Sequence, residues 1–378
     1  YSKKASFRNV LLVKGQGRAF CAGGNIKETI RRGLSVKDMN FLHDLTYSEA
    51  DLYKNFTKAP IQISFAQGPV MGSGAGCFIN SRIKVCTDSS NFAMPEAKIG
   101  FYTDAGASYF LPRLIPGHPE IGLYLAITSN SVKGRKLVDY GICDYYIQQE
   151  NYEDLYVKLK AFLNEKEVLC KENSMDINGD RAIEQEKIIR EFLRLNTDKT
   201  NKEKTYINNQ GPIKYCYSPQ NLDIDFPHID LVKYVFQYDS IYSVLERLDF
   251  LINALSQSIK NTDNSKDIQG IIERNTTIEE KRANSLEWLK QTKSIIVKER
   301  SPNSIVTIFE LLKKGLGFAS YGEAADFEAA LTMKKYELED DFKEGVRALL
   351  IDKDNKPRWQ SKSIQEVDYK KLMKDYFL

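Results

Sequence analysis

The side chains best placed to do chemistry are two carboxylates, Glu96 and Asp104, eight residues apart in Met94–Leu114 (MPEAKIGFYTDAGASYFLPRL). Their neighbours are apolar or small. Such surroundings disfavour the charged form of a carboxylate and raise its pKa toward the range useful for acid–base work. The same spacing fits a plainer role, with both residues serving as turn or cap positions. Asp104, just before Ala105-Gly106, could simply cap the next helix. Two glycine clusters accompany the pair. Gly23-Gly24 lies in Arg18–Lys27 (RAFCAGGNIK), and Gly72-Ser73-Gly74-Ala75-Gly76 precedes an apolar run. Small residues at such places let a ligand approach backbone N–H groups closely. Two loops of this kind facing one another would offer a pair of donors to a developing oxyanion. Taken singly, each cluster is also what a tight turn uses.

Positioning these groups falls to an alternating pattern in residues 1–150. Phe7–Val13 reads as a strand running into a turn at Lys14–Gly17, and Pro60–Phe65 and Arg82–Thr87 read as further strands. Between them Val36–Phe56 has a helical pattern that ends before Pro60, and Gly72–Gly76 reads as a tight loop opening a helix. Strands alternating with helices imply an α/β layered core with crossover connections. After about Tyr152 glycine becomes scarce, and amphipathic patterns at Leu155–Leu163, Leu231–Leu255 and Ile278–Ile296 read as helices with one apolar face. Residues 151–225 read as a polar, partly helical insertion, and residues 226–378 as a helical C-terminal region. The polar stretch from 165 to 225 is expected to lack extensive core contacts of its own, because lysine, asparagine and glutamate do not offset their ordering entropy.

Read in order, FCAGG, MGSGAG and AMPEAKIGFYTDAGASYFLPRL resemble the 3-hydroxyisobutyryl-CoA hydrolase family of the crotonase (enoyl-CoA hydratase) superfamily. The resemblance continues through Lys133-Gly134-Arg135 with Gly141-Ile142, Ser301-Pro302-Asn303-Ser304, and Asp341–Asp354 (DFKEGVRALLIDKD) followed by Pro357 and Trp359. It covers the chain apart from roughly residues 165–225. It implies a ββα-spiral core of two stacked sheets with a helical C-terminal region, and cleavage of a branched β-hydroxyacyl-CoA thioester in valine breakdown in the mitochondrial matrix. No cofactor is implied beyond the coenzyme A of the substrate itself. By resemblance, Cys21, Gly23 and Gly24 with Gly72 and Ser73 would surround the thioester carbonyl. Glu96 would be the nucleophile or the general base, and Asp104 would bind the substrate hydroxyl. The backbone of Ala22, Asn25 and Ile26 would run along the adenine and pantetheine. The family's substrate-contacting glutamate has its candidate here in Glu49, within a segment of different length.

Several positions depart from that pattern. Ser73 stands where the family has glycine, adding a Cβ beside the bound thioester and disfavouring a positive φ. Asn25 replaces an aspartate, and Tyr102-Thr103 replace Phe-Pro. The chain begins at Tyr1, after the family's first strand and helix, so a sheet edge is expected to be exposed unless something covers it. These departures keep a second reading open: a non-catalytic relative acting as a structural component of the mitochondrial small ribosomal subunit, partnered by ribosomal proteins and rRNA. A third is another hydratase or isomerase of the superfamily. The 54 basic residues are nearly balanced by 51 acidic ones, which argues against a surface built mainly to wrap nucleic acid, local patches aside. Six cysteines without a CxxC pair read as thiols in a reducing compartment. The three histidines, His43, His118 and His228, are far apart in sequence and read as surface or satisfied core residues. No apolar run reaches the roughly 18 residues of a membrane span, so no membrane is expected among the partners.

Overall fold

The computed structural model describes residues 10–58, 61–172, 180–197, 228–261, 278–338 and 341–378. In chain order β1 (Val10–Lys14), α1 (Ile26–Glu28) and α2 (Met39–Lys58) lead to β2 (Ile61–Phe65), β3 (Pro69–Met71) and α3 (Ser73–Ile79). Then follow β4 (Ile83–Cys86), β5 (Asn91–Ala93), α4 (Ala107–Phe110), α5 (Pro119–Thr128), β6 (Val132–Lys133), α6 (Lys136–Asp139) and β7 (Tyr145–Tyr146). The described remainder is helical: α7 (Tyr152–Glu172), α8 (Asp180–Asn196), α9 (Ile229–Val235), α10 (Ile241–Asn261), α11 (Ile278–Ser294), α12 (Pro302–Gly315), α13 (Tyr321–Glu337), α14 (Asp341–Val346) and α15 (Tyr369–Tyr376). These elements form two compact units that interleave along the chain. One comprises Tyr1–Gly24, Glu49–Ala93 and Ser131–Asp225, the other Asn25–Ser48, Met94–Asn130 and Phe226–Leu378.

The first unit holds both sheets. One has the order β1-β2-β4-β7 with every neighbouring pair parallel, and the other the order β3-β5-β6, in which β6 runs antiparallel. The three strands expected from sequence are β1, β2 and β4. All five residues of β2 are buried, as befits a strand covered on both faces, whereas β1 is an edge strand with Leu11 exposed. The β2 and β4 side chains Ile61, Ile63, Phe65, Ile83 and Val85 share one apolar core with Leu155, Leu159 and Leu163 of α7. The four-residue spacing of those leucines puts them on one helix face.

That core also takes in Ile189 and Leu193 of α8, which corrects the expectation of a segment with few core contacts. The sequence there is polar overall, but its i, i+4 apolar pair faces the sheet. Arg190 on the same face donates from Nε to Glu186 and from its terminal nitrogen to the Arg82 carbonyl, tying α8 to the approach of β4. The rest of that expectation, at 173–179 and 198–227, lies outside the described residues. Leu193→Ala should cost about 2–5 kcal/mol, the range for emptying a buried leucine site. Chemical denaturation checks this, and a loss under about 0.5 kcal/mol would show that α8 is peripheral.

The second unit is mainly helical. The single amphipathic pattern at Leu231–Leu255 is interrupted, because Phe236–Ser240 leaves the helix between α9 and α10. Ser240 restarts it, its Oγ accepting from the Ser243 N–H at 3.0 Å, and Asp239 pairs with Arg247. Among the described residues no helix is long and apolar enough to cross a membrane.

Candidate active site

In the first unit the two glycine loops lie side by side. Cys21 forms an isolated parallel bridge with Val70, its N–H donating to Pro69 O at 3.2 Å while Met71 N–H donates to Cys21 O at 3.0 Å. Gly72 follows with φ 52° and ψ −127°, and Gly23 has φ 104°; side-chain-bearing residues avoid both conformations. A Cβ placed on Gly23 would sit 4.0 Å from the Ser73 nitrogen, so the Gly23 and Ser73 backbones face each other. Gly74 brings α3 against the first loop: a Cβ there would come within 2.6 Å of the Cys21 Cβ. Ser73 is the first residue of α3, where helix N–H groups have no intrahelical partner. The positive φ feared for Ser73 falls on Gly72 instead, so the serine is unstrained. Its hydroxyl donates to Glu49 Oε1 at 3.1 Å. Burial raises the Glu49 pKa, partly opposed by that hydrogen bond. The Cys77 thiol is pushed up to about 12 by burial, with Cys21 and Glu49 adding to the effect, so it stays protonated.

Leading away from this loop, Ala22, Gly24 and Asn25 are exposed and Ile26 half-buried. Asn25 caps the short α1, its side chain accepting from the Glu28 N–H at 3.3 Å. An exposed run of backbone of this kind can accept an elongated ligand.

Glu96, in the second unit, begins a 3₁₀ turn (Glu96–Ile99) closed by Gly100 at φ 70°, with Phe101 N–H donating to Glu96 O at 3.0 Å. The turn is seated by residues far along the chain. Ser301 N–H donates to Ala97 O at 3.3 Å, and Ser301 Oγ donates to Asp341 Oδ2 at 2.5 Å. A Cβ on Gly100 would approach the Asp341 Cβ to 2.9 Å, and one on Gly345 the Ile99 Cα to 2.7 Å. Thus the SPNS segment and α14, which resemblance alone marked as a signature, grip the turn that carries Glu96.

Asp104 is half-buried and does not cap α4: the N-cap position is Gly106, and no side chain of its own turn bonds there. Ala105 (φ 59°) and Gly106 (φ 78°) form consecutive left-handed residues, a conformation that costs alanine roughly 1 kcal/mol. Helix α13 supports this turn. Glu328 accepts from Gly106 N–H at 2.5 Å, from Ser108 N–H at 2.9 Å and from Ser108 Oγ at 2.5 Å. Tyr321 Oη donates to Ala105 O at 2.8 Å, and Tyr102 Oη donates to Glu328 O at 3.1 Å. The departure at Tyr102 therefore ties the loop to α13.

Electrostatics separates the two buried glutamates. Burial pushes the Glu96 carboxyl up to about 8, a backbone hydrogen bond opposing this and the Glu328 charge adding to it. Glu328 is pushed by burial to about 7, restrained by the Ser108 hydroxyl and the N–H groups of Ser108 and Gly106. Glu328, with three donors, is the one to ionise first. Glu96 holds its proton more tightly, and its Oε2 is buried with no hydrogen-bond partner among the described residues. A buried carboxyl oxygen left without a partner is costly in a folded protein and points to a group that meets a ligand.

Of the residues singled out from sequence, Cys21, Gly23, Gly72, Ser73 and Glu49 come together in one unit, while Glu96 and Asp104 occupy the other with Asn25 and Ile26. Glu328, Tyr321, Ser301 and Asp341 were not singled out as site residues. Their only sequence signal was membership of helical or signature segments.

The family profile described as enoyl-CoA hydratase/isomerase matches residues 1–224 and 242–377. The chain is 29% identical over 384 aligned positions to a mitochondrial 3-hydroxyisobutyryl-CoA hydrolase of Dictyostelium discoideum, covering 99% of this chain and 80% of that protein. It is 30% identical to the small ribosomal subunit protein mS47 of Neurospora crassa, across 99% of this chain and 63% of that longer protein. Its fold matches the crystal structure of an enoyl-CoA hydratase from Rhodobacter sphaeroides with a TM-score of 0.64 at 21% identity, covering 98% of this chain and 84% of the other. Profile and fold agree: the chain belongs to the enoyl-CoA hydratase/isomerase family and has the crotonase fold.

Proposed function

We propose that this chain is a mitochondrial hydrolase of a β-hydroxyacyl-CoA thioester, with 3-hydroxyisobutyryl-CoA as its substrate. The observation that carries the proposal is the Glu96 carboxyl, buried, carrying one unpartnered oxygen and held on a turn gripped from two distant segments. In the reaction the Glu96 carboxylate either attacks the thioester carbonyl or takes a proton from attacking water. Negative charge then develops on the carbonyl oxygen, and the N–H groups of the Cys21–Gly24 loop and of Ser73 stabilise it. Collapse breaks the C–S bond and releases coenzyme A as the thiol: with attacking water the acyl group leaves directly as the carboxylic acid, and with Glu96 as nucleophile it stays on Glu96 as a mixed anhydride until water hydrolyses it, water supplying the net oxygen and proton on either route. Asp104 binds the β-hydroxyl group, and the Ala22–Ile26 strip takes the pantetheine and adenine.

The similarity to mS47 favours one rival, a structural component of the mitochondrial small ribosomal subunit that binds ribosomal proteins and rRNA. The two part in a single assay of purified protein with 3-hydroxyisobutyryl-CoA, following free thiol. Cleavage lost in Glu96→Gln supports the enzyme. No cleavage, together with co-sedimentation with the small mitochondrial subunit, would transfer the assignment to the structural role. Because Ser73 is unstrained and its hydroxyl is satisfied by Glu49, Ser73→Gly should change kcat/KM by less than about threefold; it keeps the amide donor on which oxyanion stabilisation depends.

A further inference from the structure

We propose that Glu328 is a positioning residue of the hydrolase site, holding the Asp104 loop in its left-handed turn. The inference rests on the thioester-hydrolase reading for its consequences in turnover, and on geometry for the clamp itself.

Glu328 is 2% exposed and sits on α13, more than 220 residues along the chain from the loop it holds. Its two oxygens accept all three donors presented by Gly106 and Ser108, the N-terminal turn of α4. A short helix whose own N-cap is a glycine thus receives its cap from a distant carboxylate. The residues between Asp104 and that cap are Ala105 and Gly106, both left-handed, and alanine holds such a conformation only where its surroundings enforce it. Tyr321 enforces it from the other side by donating to the Ala105 carbonyl. Release of Glu328 would strand three buried donors and free Ala105 to return to a negative φ. The Asp104 side chain would swing with it.

The test uses Glu328→Gln, which keeps the shape, removes the charge and turns an amide NH₂ toward one of the donors. We expect kcat to fall about 10–100-fold with little change in KM, the loss expected when a reacting group is misplaced by an ångström or so. Amide exchange at Gly106 and Ser108 should quicken. In an Asp104→Asn background the further loss from Glu328→Gln should shrink below about threefold, since coupled residues are non-additive. Should Glu328→Gln fold poorly, Ser108→Ala removes one donor of three and should produce the same signs at smaller size. Unchanged exchange at Gly106 and Ser108 would overturn the proposal, as would a full additional loss in the Asp104→Asn background. A wild-type chain without thioester cleavage, but with quickened exchange in Glu328→Gln, would remove the hydrolase reading and leave the clamp standing.

Discussion

Glu96→Gln is expected to lower kcat/KM for thioester cleavage by at least about 10³-fold, while coenzyme A binding and folding survive. The size follows from losing a group that acts as nucleophile or general base on the reacting carbon. The same change should alter how stability depends on pH. Glu96 is raised from its ordinary value of 4.5 to about 8 in the folded chain, so between those values the native state holds a proton that the unfolded state has released. Stability contributed by the neutral carboxyl is therefore present at acid pH and declines as pH rises toward 8, with a slope of at most about 1.4 kcal/mol per pH unit. Glutamine does not titrate, so the variant should lack that decline. Its buried NH₂ brings a cost of its own, which makes the comparison across pH, rather than at one pH, the informative one. For the wild type, turnover that needs ionised Glu96 should rise with pH through about 8. A pH–rate profile flat between 6 and 9, or turnover retained in Glu96→Gln, would refute the assignment.

The second large effect is expected at Gly74. A methyl group there would come within 2.6 Å of the Cys21 Cβ and closer still to the Cys21 carbonyl oxygen. The first loop must then move away from α3, separating the two backbones whose N–H groups are proposed to share the oxyanion. Losing one such donor costs on the order of 10²–10³ in rate, and overpacking a tight site costs about 1–3 kcal/mol in stability. Gly74→Ala should therefore remain folded at moderate temperature and lose most of its turnover. Ser73→Gly, next to it, should not. Circular dichroism and kcat/KM measured on the same preparations check the pair. A folded Gly74→Ala with wild-type turnover would show that the donors lie elsewhere.

Local pattern was a reliable guide where a single element decides the outcome. The strand runs at Phe7–Val13, Pro60–Phe65 and Arg82–Thr87 correspond to β1, β2 and β4 within a few residues, because an apolar run bounded by turn residues has few other ways to be buried. Glycine at 23, 72 and 74 was legible for the same reason: the residue type itself announces a positive φ or a close approach. Pattern failed where polarity averaged over a segment hid one good face. In α8 Ile189 and Leu193, with Phe192 beside them, join the helix to the sheet core, and composition does not register so narrow a stripe. It failed again at Phe236–Ser240, where one periodic stretch contains a break set by the Ser240 cap.

By itself the sequence determined the family and marked the two acids and the two small-residue loops as candidates, since each is written in contiguous residues. Only the tertiary structure decided how those groups behave. It turned Glu96 from a candidate into a buried acid with an unpartnered oxygen. It assigned Glu49 to the Ser73 hydroxyl, and it gave Glu328, Tyr321, Ser301 and Asp341 the task of holding loops some 200 residues away in the chain. The physical reason is range. A turn or strand reports its own φ and hydrophobicity, but desolvation and a shared hydrogen bond exist only once distant segments have met, and no local spacing records which segments those will be.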